Sequence, residues 1–185
     1  MKLFLLSTLL LFLHLITQAH FLYRQRPTAN GQPPTANRQP STANRQPSTV
    51  NRAAFYKAME ENDKNLVNAQ LKELQTTPDE IRDAFTGAML MKKSGFVAPP
   101  AVKVHLFREG HKMLEAAIRQ YPDNAEFRFL RLIIQEHAPG ILGYKNDLQK
   151  DNEFIQKSYK SLPEELKQIM ANYSKKSKFL KLEVS

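Results

Sequence analysis

Apolar residues recur at helical spacing from Ala53 to the end of the chain. No stretch alternates apolar and polar residues for long enough to form a sheet. The segments AAFYKAMEEN and KNLVNAQLKEL form the first predicted hairpin, and the later segments continue the pattern. It predicts an all-α fold of about seven helices, packed as antiparallel hairpins.

Two helix starts carry a capping box, in which a Ser or Thr and a Glu three residues later satisfy the first backbone N–H groups. These boxes are Thr77-Pro78-Asp79-Glu80 and Ser161-Leu162-Pro163-Glu164. Between them, Pro99-Pro100 opens a long fourth helix, and Pro122-Asp123 ends it. The capping boxes predict where the third and seventh helices begin.

The segment EFRFLRLIIQE, residues 126–136, is apolar almost all round and is predicted to be the most buried helix. Its polar side chains Arg128, Arg131 and Gln135 fall at positions i, i+3 and i+7, which places them in one narrow stripe. The loop that follows, HAPGILGY, ends at Tyr144 and is more apolar than a simple connection.

This stripe and the Gly140–Tyr144 loop form a candidate ligand site. Two guanidinium groups one turn apart can hold a carboxylate or phosphate through paired hydrogen bonds, with an amide and a tyrosine hydroxyl as further donors. The predicted site residues are Arg128, Arg131, Gln135 and Tyr144. The stripe has two alternative interpretations: it is the solvent face of a helix, or carboxylates already neutralise its arginines. The carboxylates considered are Glu126, Glu136 and Asp147.

The N-terminus has the pattern of an export signal. Lys2 precedes a 14-residue apolar run, Leu3 to Ile16, and Thr17-Gln18-Ala19 fits a signal-peptidase site. Residues 1–19 are therefore predicted to be a signal peptide, and the mature chain to be periplasmic or secreted. Arg24 and Arg26 follow closely, and because positive charge there opposes translocation, an uncleaved anchor remains the alternative.

Residues 20–52 carry seven-residue repeats, QPPTANR, QPSTANR and QPSTVNR, after a degenerate first copy. From Pro27 to Asn51 the only clearly apolar side chain larger than alanine is Val50. Such a segment cannot bury enough surface to fold. It is predicted to be a disordered, extended spacer, followed by a helical domain at 53–185.

The formal net charge of +9 comes mostly from the leader and the repeats, because residues 53–185 hold 21 basic and 18 acidic side chains. A net charge of +3 on the helical domain argues against nucleic-acid binding. The chain has no Cys, which excludes disulfides, thiolate metal sites and thiol nucleophiles.

No catalytic residue, metal site or cofactor is predicted. His105/Glu109 and His111/Glu115 are each spaced i, i+4, but six residues turn a helix by about 600°, so the two histidines point in different directions. The chain also lacks the Gly-rich and nucleophile motifs of common enzymes.

One junction resembles the end of a tetratricopeptide repeat. In EGHKMLEAAIRQYPDNAEF, Gly110, Leu114, Ala117 and Pro122 occupy the small, large, small and turn positions. This likeness implies that Gly110 and Ala117 face a neighbouring helix at close range.

More broadly, AMLMKK, EFRFLRLIIQ and APGILGY resemble segments of small exported helical proteins of bacteroidete bacteria. That resemblance implies export and a helical fold, and no particular activity.

The sequence therefore favours an exported, non-catalytic helical protein that binds a protein, a peptide or a component of the cell envelope. The alternative is an enzyme or a binder of a small anionic ligand that uses the stripe and the Gly140–Tyr144 loop. The basic C-terminal tail, KKSKFLKLEVS, is either a solvated end or a contact with an anionic membrane surface.

Overall fold

The computed structural model describes residues 50–77 and 79–182, with the backbone alone at 79, 80 and 141. Within these ranges the chain forms seven α-helices and no strand, which confirms the predicted all-α class. The helices are α1 (Arg52–Glu60), α2 (Lys64–Leu74), α3 (Asp79–Ser94), α4 (Pro100–Gln120), α5 (Ala125–His137), α6 (Leu148–Ser158) and α7 (Glu164–Ser174). Short 3-10 helices, Gly140–Leu142 and Tyr159–Ser161, precede α6 and α7.

The predicted signal peptide and the repeat tract as far as residue 49 lie outside the described residues. Among the helices that are described, none combines the length and the apolar character needed to cross a membrane.

The helices α3 and α4 form the most extensive helix pair and meet at two glycines. A Cβ atom at Gly87 of α3 would lie 2.6 Å from the carbonyl oxygen of Gly110 on α4. Gly110 also approaches Met91, whereas Gly87 approaches Met113 and Leu114, so the two helices run antiparallel. The expectation that Gly110 faces a neighbouring helix at close range is confirmed.

The helix α5 is the most buried of the described helices, as predicted, with ten of its 13 residues buried. Its start is capped by Asn124, whose side-chain oxygen accepts hydrogen bonds from two backbone N–H groups. The ring of Phe129 packs against Tyr56 of α1 and Tyr173 of α7, at centroid distances of 5.5 and 5.4 Å. Through these rings α5 connects the first and last helices of the domain.

The last three residues of the predicted repeat tract take part in the helical domain. Val50 is buried, and the Asn51 side chain caps α1 by accepting a backbone N–H at 3.0 Å. Arg52 donates hydrogen bonds to both carboxylate oxygens of Glu126, at 2.7 and 2.8 Å. The predicted boundary at Ala53 therefore lies inside α1.

The seventh helix begins where the sequence predicts, but its predicted capping box does not form. The hydroxyl of Ser161 donates to the carbonyl oxygen of Ser158 at 2.8 Å, because Ser161 belongs to the 3-10 turn that follows α6. Pro163 precedes α7 without a side-chain cap. The other predicted box, at 77–80, lies partly outside the described residues.

The C-terminal segment 175–182 packs onto the domain and does not extend into solvent. Leu180 is fully buried, and Glu136 of α5 accepts hydrogen bonds from the Ser177 hydroxyl at 2.7 Å and from the next backbone N–H at 2.6 Å. The described part of this segment is therefore anchored and not frayed, whereas its lysines remain exposed to solvent, as the interpretation of a solvated end expects. Phe179 remains exposed beside this anchor.

Candidate functional site

Arg131 of α5 is bound on three sides by carboxylates from the neighbouring helices. Its Nε and Nη2 atoms donate to the two carboxylate oxygens of Asp151, each at 2.7 Å, and its Nη1 atom donates to Glu115 at 2.8 Å. Arg131 is 5% exposed and Asp151 is 0% exposed, so the pair is buried. Burial opposes the charge on Arg131, but Asp151, Glu115 and Asp147 outweigh it and raise the pKa of the guanidinium. The paired hydrogen bonds predicted to hold a ligand are made instead to Asp151.

Arg128 lies one turn earlier and turns toward the start of α5. Its Nε and Nη2 atoms donate to the Pro122 carbonyl oxygen at 3.2 and 2.9 Å, and its Nη1 atom lies 3.4 Å from Asp151. The guanidinium also lies over the ring of Phe154, 4.2 Å from its centroid, a cation–π arrangement. Arg128 therefore has its own set of protein partners.

Tyr144 reaches the same carboxylate cluster from the loop after α5. Its hydroxyl donates to Glu115 at 2.9 Å, and its ring packs edge-on against His111 and Phe107. Burial, followed by the nearby charge of Glu115, raises the pKa of Tyr144, so the hydroxyl stays a donor. The preceding residue, Gly143, has φ of 61°, a left-handed conformation that glycine adopts without strain and that turns the chain toward α4.

Gln135 differs from the other predicted site residues because its side chain has no hydrogen-bond partner among the described residues. It is 0% exposed, and neither its amide nitrogen nor its amide oxygen is paired. A buried amide without partners costs about 1–3 kcal/mol. The position therefore favours any group that can both donate to and accept from this amide.

Gln135 lies in the wall of a pocket of about 490 Å³ formed by α4, α5 and the loop before α6. We call it the polar pocket, and its lining consists of His111, Lys112, Glu115, Arg119, Gln135, Gly143, Tyr144, Asn146 and Asp147. Lys112 and Arg119 are exposed at its edge, and neither forms an ion pair within the part of the chain that the structure describes.

The structure places the four predicted site residues around one cluster of carboxylates, but the four side chains do not act together as one ligand site. Gln135 and Tyr144 line the polar pocket. Arg131 holds two of the pocket's carboxylates, and Arg128 faces the Pro122 carbonyl and lies outside the lining. Three carboxylates are predicted from the sequence as alternatives that could neutralise the stripe. Of these three, only Asp147 approaches Arg131, at 3.6 Å.

The other two carboxylates predicted as alternatives, Glu126 and Glu136, bind other residues. Glu126 pairs with Arg52, and Glu136 accepts hydrogen bonds from Tyr173 and Ser177. Their positions along α5 direct them to α1 and to the C-terminal segment, away from the stripe.

Sequence reasoning missed the two principal partners of Arg131. Asp151 follows Asp147 by four residues, and Glu115 follows His111 by four residues, so each pair shares a helical face. A buried arginine on the neighbouring helix needs such a face opposite it. Each i, i+4 pair places an acidic side chain on a defined helical face. Matching these two faces to the stripe could have identified the partners of Arg131.

His105 and His111 of α4 each lie near a glutamate of the same helix. His105 lies 3.8 Å from Glu109, and His111 lies 3.8 Å from Glu115. Nowhere in the described ranges do three or more His, Asp or Glu side chains converge to hold a metal ion.

Comparisons with protein-family models, with curated proteins and with solved structures give no match for this chain.

Proposed function

We propose that this chain is a non-catalytic binding protein whose ligand site is the polar pocket. The observation that carries the proposal is the amide of Gln135, which is fully buried in the pocket wall and has no hydrogen-bond partner among the described residues. Folding a polar side chain into such a position lowers stability unless a partner completes its hydrogen bonds. Functional sites are where such a cost is most often retained.

The surroundings of Gln135 define the chemistry of the ligand. The amide offers one donor and one acceptor side by side, so it complements another amide. Lys112 and Arg119 lie at the edge without an ion pair among the described residues, whereas Glu115 already accepts hydrogen bonds from Arg131 and Tyr144. The pocket therefore favours an amide with a negative charge a short distance away.

A peptide C-terminus carries both features, because its last amide lies beside a free carboxylate. This chemistry connects the two functions considered from the sequence, a peptide partner and a small anionic ligand. Among the side chains that the structure describes, the large exposed apolar ones are few, and a broad apolar docking face is less well supported than the pocket. They are Val102, Val104, Leu142 and Phe179. The amide of Gln135 is screened from solvent, so a small side-chain shift must accompany binding.

Export to the periplasm or the medium belongs to the same proposal, and it is supported by the apolar run and the Thr17-Gln18-Ala19 site at the N-terminus. A disordered tract would then separate the signal from the domain. A tetratricopeptide-like packing of the junction at Gly110 is supported by the close approach of that glycine to α3. Contact of the basic C-terminal tail with a membrane surface is supported by the exposed ring of Phe179.

The test uses N-acetyl-Ala-Ala as the probe, with its C-terminal amide and free acetate as matched ligands, measured by calorimetry and NMR. We expect N-acetyl-Ala-Ala to bind most tightly, since the amide lacks the charge and acetate lacks the peptide group. Gln135→Met and Arg119→Gln should each weaken it, by about tenfold for one hydrogen-bonding group. Arg108→Gln is the control, since Arg108 lies on α4 outside the pocket lining. Equal binding of the three ligands, or no effect of Gln135→Met, would contradict the proposal.

A further inference from the structure

A second cavity, of about 280 Å³, lies between α1, α3, α5 and α7. Its floor is formed by the apolar side chains Met59, Phe129, Ile133, Ile134 and Ile169, and we call it the apolar cavity. Two residues turn a helix by about 200°, so Ile133 and Gln135 face nearly opposite sides of α5. The apolar cavity is therefore separate from the polar pocket.

The wall of the apolar cavity carries one positive charge without a compensating carboxylate. Lys92 of α3 lines the cavity, is half-buried, and forms no ion pair within the described part of the chain. The acidic residue of the wall, Glu60, is already paired with Lys176 at 2.9 Å. Burial lowers the pKa of Lys92, which agrees with an ammonium group that has lost water and gained no anion.

The other polar groups of the wall are also engaged. The hydroxyl of Tyr173 donates to Glu136 at 2.9 Å, and Nδ1 of His137 lies 2.9 Å from the carbonyl oxygen of Ile133. Lys92 is thus the cation in this wall that a ligand can neutralise without breaking an existing ion pair.

We propose that the apolar cavity binds a small amphipathic carboxylate, with its apolar body on the isoleucine-lined floor and its charge against Lys92. A cavity of about 150 Å³ already admits a benzene-sized molecule, so this one admits a medium-length alkyl chain. An apolar enclosure with one convergent charged group is the usual design of a small-molecule site. The single uncompensated charge selects a monoanion.

The experiment uses octanoate as the probe on the full chain. Octan-1-ol and octylammonium are matched ligands that share the chain and lack the negative charge. Binding is followed by calorimetry, and contact is followed by NOEs from the probe's methylene protons to the methyl groups of Met59, Ile133 and Ile169. The variant Lys92→Met keeps most of the side-chain length, and Lys93→Met is its control, because Lys93 does not line the cavity.

We expect octanoate to bind more tightly than both matched ligands and to give NOEs to the floor methyls. Lys92→Met should weaken octanoate by about tenfold or more, as loss of a charge-assisted hydrogen bond does, whereas Lys93→Met should bind normally. Both variants should melt within a few degrees of wild type, since neither lysine has an ion pair to lose within the described residues.

Absence of floor NOEs, unchanged octanoate affinity in Lys92→Met, or equal binding of octylammonium would overturn the proposal. Binding to phosphatidylglycerol vesicles without binding of octanoate would also overturn it, since the surface would then be a membrane contact. These readouts are independent of the polar pocket, and failure here leaves the test with N-acetyl-Ala-Ala unaffected.

Discussion

Arg131 of α5 and Asp151 of α6 are joined by two parallel hydrogen bonds of 2.7 Å in an interface where both side chains are buried. This pair fixes the position of α6 on the central helix and orders the carboxylates that line the polar pocket. The stripe that the sequence presents as a ligand clamp is thus, in large part, a set of helix-to-helix contacts.

Removal of the arginines should destabilise the domain. In the double variant Arg128→Gln/Arg131→Gln, the buried carboxylate of Asp151 loses its cationic partners, which typically costs about 3–5 kcal/mol. The free energy of unfolding, measured by urea denaturation, checks this, with Arg108→Gln as an exposed control. A variant that unfolds at the wild-type urea concentration would show that the pair contributes no net stability.

Gln135→Met should have the opposite effect on stability. Methionine fills nearly the same volume and has no amide to leave unpaired, so we expect a gain of about 1–3 kcal/mol in the free energy of unfolding. The gain should accompany the loss of N-acetyl-Ala-Ala binding. A loss of stability would mean that bound water already satisfies the amide.

Gly87→Ala should weaken the packing of α3 on α4. The added Cβ would lie 2.6 Å from a backbone oxygen and 2.8 Å from a backbone nitrogen of α4. Backbone atoms cannot rotate out of the way as the end of a flexible side chain can. We expect a loss of about 1–3 kcal/mol, and a loss in the same range for Ala117→Leu, which overpacks the next small position of α4. Gly140→Ala is the matched control, because no atom lies within 4 Å of its added Cβ. Calorimetric melting of the three variants distinguishes these outcomes.

Glu136 should make the domain sensitive to acid. Burial opposes its ionisation, but hydrogen bonds from Ser177, the Lys178 backbone and Tyr173 outweigh it and lower the pKa of Glu136 below its ordinary 4.5. A lowered folded-state pKa gives stability that is present above pH 4.5 and is lost as the pH falls through the folded-state value. Glu136→Gln should therefore be less stable than wild type near pH 7, and the difference should shrink steadily below pH 4.5. A difference that is constant with pH would contradict this.

The N-terminal boundary of the domain can be tested by truncation. A chain that begins at Thr49 keeps Val50, the Asn51 cap and the Arg52–Glu126 pair, so it should melt at the temperature of a chain that carries the whole repeat tract. A chain that begins at Ala53 leaves Glu126 without that partner and should melt several degrees lower. Equal melting temperatures for both truncations would remove residues 50–52 from the folded unit.

The sequence predicts the helices of this protein better than the contacts between them. The burial of α5 is predictable, because the apolar residues that indicate it all lie within that one segment of the sequence. The partners of Arg131 come from α4 and α6. The i, i+4 spacings mark the faces on which they lie, but which carboxylate meets Arg131 depends on how three helices are rotated. For the same reason Lys92 looks like an ordinary surface lysine until α1, α5 and α7 enclose it.

The anchoring of the C-terminal segment has a consequence for the order of events in synthesis. Leu180 fills the core and Ser177 binds Glu136, so residues that follow α5 by about forty positions are required to complete the fold around it. A nascent chain therefore lacks part of its core until residues 177–180 have been synthesised.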